Sequence, residues 1–363
     1  MPEADRAELV EEPVPVEGEL AASWRRLAEA RANPFLTPEW NAAALAAAPE
    51  EEPFTLVWRR GGEVRGVLPL VRARKGPWRL LRFAGARRGD WFTPLCDPAD
   101  EAAMAAACAA LLRERRGEWH QLVLDRIDQE CSWPQALWGE GVAAAVAPSQ
   151  PRRTDVLPFV AFGADGYEGY LAARSRNFRS QLGRRRRKLE REHDLRFRKT
   201  EGPEQLAADL DTFFALHDER WDPKGGSSSG APEARELQRN FAAAALAQGW
   251  LRLWIAEADG APRAAWYGWR IGERCCYALS GLAKEYESFA LGTVLLAFTI
   301  EQAAAEGAAI YDLMWGDEGY KQRFETGRRD AASWTLARRG HPVRPLVAVR
   351  TALERRARSA RGE

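Results

Sequence analysis

Residues 253–266, LWIAEADGAPRAAW, read as a strand, a glycine turn and a second strand, and residues 56–68, LVWRRGGEVRGVL, read the same way. Laying Gly62 on Gly260 places Arg65 on Arg263 and keeps the apolar residues matched on both sides of the turn. The surroundings repeat as well. In the first half LLRF leads through a polar loop to an alanine-rich helix near 100–114 and then to the strand HQLVLDRI. In the second half CCYALSGL leads through AKEYESFALG to a helix near 291–306 and then to AIYDLM. Hairpin, strand, loop, helix, strand is one supersecondary unit used twice. A chain of 363 residues exceeds what one hydrophobic core usually serves, so two tandem α/β (α+β) lobes are expected. The division read from the sequence is an acidic disordered tail at 1–22, a first lobe at 23–150, a second lobe at 160–340 and a basic tail at 341–363, with the connection near 145–165.

Composition narrows the classes of function. A net charge of +1 conceals an acidic start and basic stretches at 174–199 and at the end, so overall charge identifies no partner. No apolar run is long enough for a membrane span, and MPEADRAELVEEP lacks the basic and apolar regions of a secretory signal, which makes a cytoplasmic location the expectation. The cysteines, Cys96, Cys108, Cys131, Cys275 and Cys276, show no CxxC spacing and read as small core residues. Four scattered histidines without HExxH argue against a metal site.

Reactive side chains concentrate in the second half. In LHDERW, residues 216–221, helical spacing puts His217, Arg220 and Trp221 on one face. In YDLMWGDEGYK, residues 311–321, a buried strand is followed by Asp317, Glu318, Tyr320 and Lys321, just past its carboxyl end, where ligands of α/β sheets commonly bind. Acyl transfer to an amine needs a neutral amine, a polarised carbonyl and a stabilised leaving group. His217 has the ordinary pKa for a general base, and Asp312 would have it if burial raised its pKa. Each reads equally well as structural: His217 as a core histidine, Asp312 as half of an ion pair with Arg220 or Lys321. Trp221, Trp266, Tyr267 and Trp269 are candidates for an acceptor groove, and Tyr320 and Lys321 for binding the donor's phosphates or an anionic acceptor.

A phosphorylated cofactor needs exposed backbone N–H groups at the positive end of a helix. In the first lobe Asp97, Asp100 and Glu101 crowd that position, whereas in the second it holds Ala290, Leu291, Gly292 and Thr293. The second lobe is therefore the eligible one. GGSSSG at 225–230 has its lysine on the wrong side for a Walker loop and reads as a flexible loop.

In their order, LHDERW, DGAPRAAWYG, the following helix and YDLMWGDEGYKQRF resemble the GNAT acetyltransferase superfamily, in the CelD-like (cellulose biosynthesis protein) branch related to the Fem aminoacyltransferases. NPFLTPEW at 33–40, GVLPL at 66–70 and GARRGDWFTPL at 85–95 extend the resemblance over roughly residues 24–338. It implies two fused GNAT-like lobes, each a mixed, mostly antiparallel sheet flanked by helices, the first degenerate and the second an intact acyltransferase lobe. It implies acetyl-CoA or another acyl-CoA as donor, or an aminoacyl-tRNA, and an amine of a small metabolite or saccharide as acceptor. The donor's pantetheine would lie where the strands at 275–282 and 309–314 splay apart, beside Ser280, Gly281 and Leu282. Its pyrophosphate would meet the loop from Glu287 to Thr293. Three readings follow: an acyl-CoA-dependent N-acyltransferase, a Fem-like enzyme whose tRNA donor meets the basic run GRRRRKLERE at 183–192, and a non-enzymatic GNAT-shaped partner of an envelope polysaccharide machine.

Overall fold

The computed structural model describes residues 7–128, 131–139, 151, 153–222 and 226–359. Residues 1–6 of the expected tail, 145–150 of the expected connection and Gly225 of the glycine-serine loop lie outside the described residues. The chain divides into two units: Met1–Val156 with Arg329–Glu363, and Leu157–Arg328.

The first unit runs β1 (Ala7–Glu12), α1 (Glu19–Ala30), α2 (Pro38–Ala46), β2 (Glu52–Arg60), β3 (Glu63–Lys75), β4 (Trp78–Phe83), β5 (Leu95–Cys96), α3 (Glu101–Glu114), β6 (Gln121–Asp128) and α4 (Trp133–Gly139). β2, β3 and β4 form an antiparallel meander, and α3 carries the chain across to β6, which pairs parallel with β4. The start of the chain is not a tail from residue 7 onward. Ala7–Glu12 pairs antiparallel with β2, because Arg59 and Arg72 on the neighbouring strands bind Glu12 and Glu11 and so neutralise the acidic run.

The second unit begins within β7 (Arg153–Ala161) and runs on through α5 (Gly166–Ala172), α6 (Arg176–Glu192), β8 (Leu195–Lys199), α7 (Pro203–Trp221), α8 (Pro232–Ala247), β9 (Leu251–Ala258), β10 (Ala261–Ile271), β11 (Arg274–Leu282), α9 (Leu291–Ala305), β12 (Ile310–Asp312) and α10 (Lys321–Phe324). Its strands lie in the order β7-β12-β11-β10-β9-β8. β9, β10 and β11 are antiparallel, and β11 pairs parallel with β12 after the α9 crossover. This is the order of the first unit again, so the fold is two tandem copies of one α/β unit, as the repeated hairpins indicate.

The chain closes with β13 (Gly327–Ala337) and α11 (Val343–Ser359). The sequence places the end of the second lobe at 340 and a tail at 341–363, whereas residues 329–363 group with the first unit. Ala331 to Ala337 pair with β6, and Val343 and Val347 on α11 form a buried cluster with Ala337, against which Trp78 packs. Pairing between segments so far apart leaves no local sequence signal.

All five cysteines are free and buried, and burial pushes the thiols of Cys96, Cys108, Cys131 and Cys275 up to about 12, which leaves them protonated and unreactive at neutral pH. Among the described residues no helix is long and apolar enough to cross a membrane, and no group of three or more His, Cys, Asp or Glu could hold a metal ion.

Candidate functional site

Parallel pairing of β11 with β12 covers only Arg274 with Ile310, Cys275 with Tyr311 and Cys276 with Asp312. Past Cys276 that edge of β11 runs on without β12, and a cavity of about 220 Å³ opens there. Ser280, Gly281 and Leu282 line it from β11, Trp266 from β10, Arg220 from α7, Gly292 and Thr293 from α9, and Tyr320 from the loop after β12. Residues that the sequence reading assigned from separate motifs thus meet around one space.

Two glycines make this packing possible. A Cβ at Gly281 would stand 2.6 Å from the backbone nitrogen of His217 and 2.6 Å from Leu216 Cβ, so only glycine lets α7 lie directly on β11. A Cβ at Gly268 would stand 2.0 Å from the carbonyl oxygen of Cys276, at the point where the β10–β11 register shifts. α7 presents Leu206, Leu210, Phe213 and His217 inward at helical spacing. One further turn brings Arg220 to the cavity, where its Nη1 donates to Ser280 Oγ, and Ser280 Oγ lies 2.7 Å from Tyr277 Oη.

His217 is in the core, 3% exposed, and does not line the cavity. Its Nδ1 lies 3.0 Å from the Ser280 carbonyl oxygen, which fixes the tautomer with Nδ1–H donating and leaves Nε2 buried without a hydrogen-bond partner among the described residues. Burial, against the lift from the Ser280 carbonyl, holds its pKa below the ordinary 6.5. The folded protein keeps this imidazole neutral while the unfolded chain protonates it, so its contribution to stability is complete above pH 6.5 and declines as pH falls below it. Melting temperature measured against pH should therefore drop below 6.5, and His217→Gln should flatten that drop without abolishing it, since the pKa values of His120 and His341 are also held low.

Asp312 is also outside the cavity lining and 1% exposed. Its partner is neither Arg220 nor Lys321 but Arg274 on the adjacent strand, whose Nη1 lies 2.9 Å from Asp312 Oδ2, while Oδ1 accepts from the Met314 backbone at 2.9 Å. The carboxylate fastens the end of β12 and starts the loop. Lys321 Nζ donates to the Trp315 carbonyl at 2.7 Å and pairs with Glu318 at 2.9 Å. Its charge is thereby spent folding residues 314–321 back and presenting Tyr320. Burial first, then the neighbouring Tyr277, push the Tyr320 hydroxyl well above its usual value, so it stays protonated at neutral pH.

The aromatic residues divide by face. Tyr267 and Trp269 are 0% and 1% exposed; Tyr267 Oη donates to the Gln238 carbonyl, and Trp269 packs on Phe241 of α8 at 5.2 Å. They are core residues on the side of β10 away from the cavity, while Trp266 faces it. Trp221 is half-buried with its ring 6.2 Å from that of His217.

Ala290 adopts the left-handed conformation, φ 57° and ψ 35°, to turn the loop into α9, and no side chain caps the helix. Among the described residues Glu285 is paired with Arg263 at 2.7 Å, while Glu287 lines the cavity as an exposed carboxylate. A left-handed alanine costs about 1–2 kcal/mol, part of which glycine recovers, so Ala290→Gly should stabilise the protein by about 0.5–1 kcal/mol in a denaturant melt. The matching helix start of the first unit is closed. Asp100 is 1% exposed and pairs with Arg60 at 2.6 Å, and β5 lies against β3, with Cys96 opposite Gly66.

Residues 176–322 match the family described as Acetyltransferase (GNAT) domain. The second unit therefore carries a GNAT acetyltransferase domain. Three solved structures share the architecture of the whole chain. FemX is 11% identical at a TM-score of 0.66, covering 94% of this chain and 100% of its own. The L-PGS of Bacillus licheniformis is 13% identical at 0.54, covering 92% and 96%. A tandem GNAT protein from the clavulanic acid biosynthesis pathway is 15% identical at 0.51, covering 91% and 98%. No curated protein matches the chain. At these identities the structures establish a tandem GNAT fold, and the substrate has to be argued from the site.

Proposed function

We propose that the second unit is an N-acyltransferase that moves an acyl group, acetyl in the simplest case, from acyl-CoA to the amine of a small metabolite, an amino sugar or an envelope polysaccharide precursor. The observation that carries this reading is the cavity where β11 and β12 part, opening onto the uncapped start of α9. Its volume lies below the roughly 300–1,000 Å³ of sites that enclose a whole drug-sized ligand, which suits the reactive end of a donor whose phosphates stay at the rim. Gly292 lines the cavity there and offers its backbone N–H, with the helix dipole behind it, whereas Leu291 is buried and outside the lining.

The polar wall of the cavity fits the chemistry in this reading. Arg220, held by Ser280, supplies fixed positive charge for the oxyanion of the tetrahedral intermediate. Tyr320 lines the same cavity, and its hydroxyl is the group placed to hydrogen-bond the departing thiolate and give it a proton. Glu287 is the acidic residue of the lining and takes the proton of the attacking amine. His217 positions the Ser280 carbonyl from behind. Tyr320→Phe should lower kcat by about 10²–10⁴-fold with little change in donor affinity, as loss of a positioned proton donor does. An equal loss of donor affinity would assign the residue to binding instead.

A Fem-like aminoacyl-tRNA donor is the second reading, favoured by α6. Among the described residues Arg176, Arg184 and Arg187 on that helix have no acidic partner, while Arg186 and Lys188 are paired with Glu190 and Glu192. Thermal-shift titrations separate the two, because acetyl-CoA stabilises the protein in the first reading and only aminoacyl-tRNA in the second.

A further inference from the structure

In α11, Val343, Val347 and Thr351 are buried at helical spacing, and Leu346, Val349 and Leu353 form a second apolar stripe that faces outward, 57%, 58% and 60% exposed. Arg350 and Arg356 border that stripe on its two sides. A cleft of about 360 Å³ runs alongside, lined by Lys75, Trp78, Val343, Leu346, Val347 and Arg350. Its neighbourhood is cationic. The His120 and His341 rings stack at 4.3 Å with Trp78 edge-on to both, Arg79 Nη2 lies 3.1 Å from His120 Nε2, and Arg338 donates to the Arg116 carbonyl. The charges acting on His120, His341 and Arg338 are all positive. Residues 338–363 hold eight arginines against two glutamates, and of these Glu354 offsets Arg350 at 2.7 Å.

We propose that α11 and the tip of the β3–β4 hairpin form a docking surface for an anionic lipid bilayer, with Leu346, Val349 and Leu353 entering the acyl boundary and Lys75, Arg350 and Arg356 meeting the head groups. An outward apolar stripe bordered by arginines is the pattern of a helix lying in a membrane interface, and the basic residues add attraction to acidic lipids that salt screens. RNA satisfies the cations but offers no apolar phase to receive three branched side chains. A second copy of the chain receives the apolar stripe but sets two cationic rims against each other. An anionic bilayer satisfies both at once. The surface belongs to the first unit, whereas the acyltransferase cavity is lined by residues of the second.

Co-sedimentation of the full chain with phosphatidylcholine vesicles, with and without phosphatidylglycerol at about one part in three, tests this directly. Binding is expected only to the anionic vesicles, weakening as salt rises. The double variant Val349→Glu, Leu353→Glu should reduce it at least about tenfold while leaving the melting temperature unchanged, because both side chains are already in solvent. A second variant, Lys75→Glu with Arg356→Glu, should lose binding without any change to the apolar stripe. Equal binding to neutral vesicles, undiminished binding by both variants, or binding to RNA with none to vesicles would overturn the proposal. So would a change in oligomeric state, rather than in vesicle binding, on Val349→Glu, Leu353→Glu substitution.

Discussion

Gly292→Leu is expected to weaken acyl-CoA binding about a hundredfold or more, close to 3 kcal/mol, with no loss of stability. A Cβ at this position meets only Leu282 Cδ2, at an ordinary 3.6 Å, so nothing in the protein's own packing demands glycine there. The space beyond is the cavity itself, and a leucine side chain would fill the place where a ligand has to approach the α9 backbone. Leucine is also the better helix former by about 0.8 kcal/mol, so the melting temperature should hold or rise. Loss of binding with retained stability separates an obstructed site from a damaged fold. A variant that binds as well as wild type would remove the α9 start from the donor site.

Asp312→Ala should destabilise the second unit by about 3–5 kcal/mol, because it breaks a buried ion pair from one side. The carboxylate is 1% exposed, pairs with Arg274 at 2.9 Å and accepts from the Met314 backbone. At roughly 2–4 °C per kcal/mol for a unit of this size, the melting temperature should fall by about 6–20 °C. Activity of the fraction still folded is the second readout. In a structural role kcat of that fraction stays near wild type, whereas a catalytic base would take kcat down even in conditions where the variant is fully folded.

The tandem architecture was legible because it rests on local signals. The turns at Gly62 and Gly260 take positive φ, 82° and 77°, and the apolar alternation on either side marks the strands. The cavity was half legible for the same reason: Ala290 to Thr293 open a helix, and Ser280 to Leu282 end a strand. The rest depended on partners that the sequence does not place. Whether Trp266 or Tyr267 faces the cavity follows from strand register, and the register shifts after Tyr267. The partner of Asp312 sits across a parallel pairing at Arg274, and Lys321 is consumed by carbonyls of its own loop. Tyr277 and Glu287 were missed as site residues. Tyr277 stands three positions before Ser280 on β11, close enough for its hydroxyl to reach Ser280 Oγ, and Glu287 begins the loop already assigned to phosphate.

In the proposed function the gap between β11 and β12 holds the reactive end of an acyl-CoA. Isothermal titration calorimetry of acetyl-CoA into the wild-type chain and Gly292→Leu, with melting curves on both, tests it most directly. Saturable one-site binding to wild type, lost in a variant that melts at least as high, is the predicted result. Equal binding by both proteins, or no binding of acetyl-CoA or longer acyl-CoAs to wild type, would contradict it.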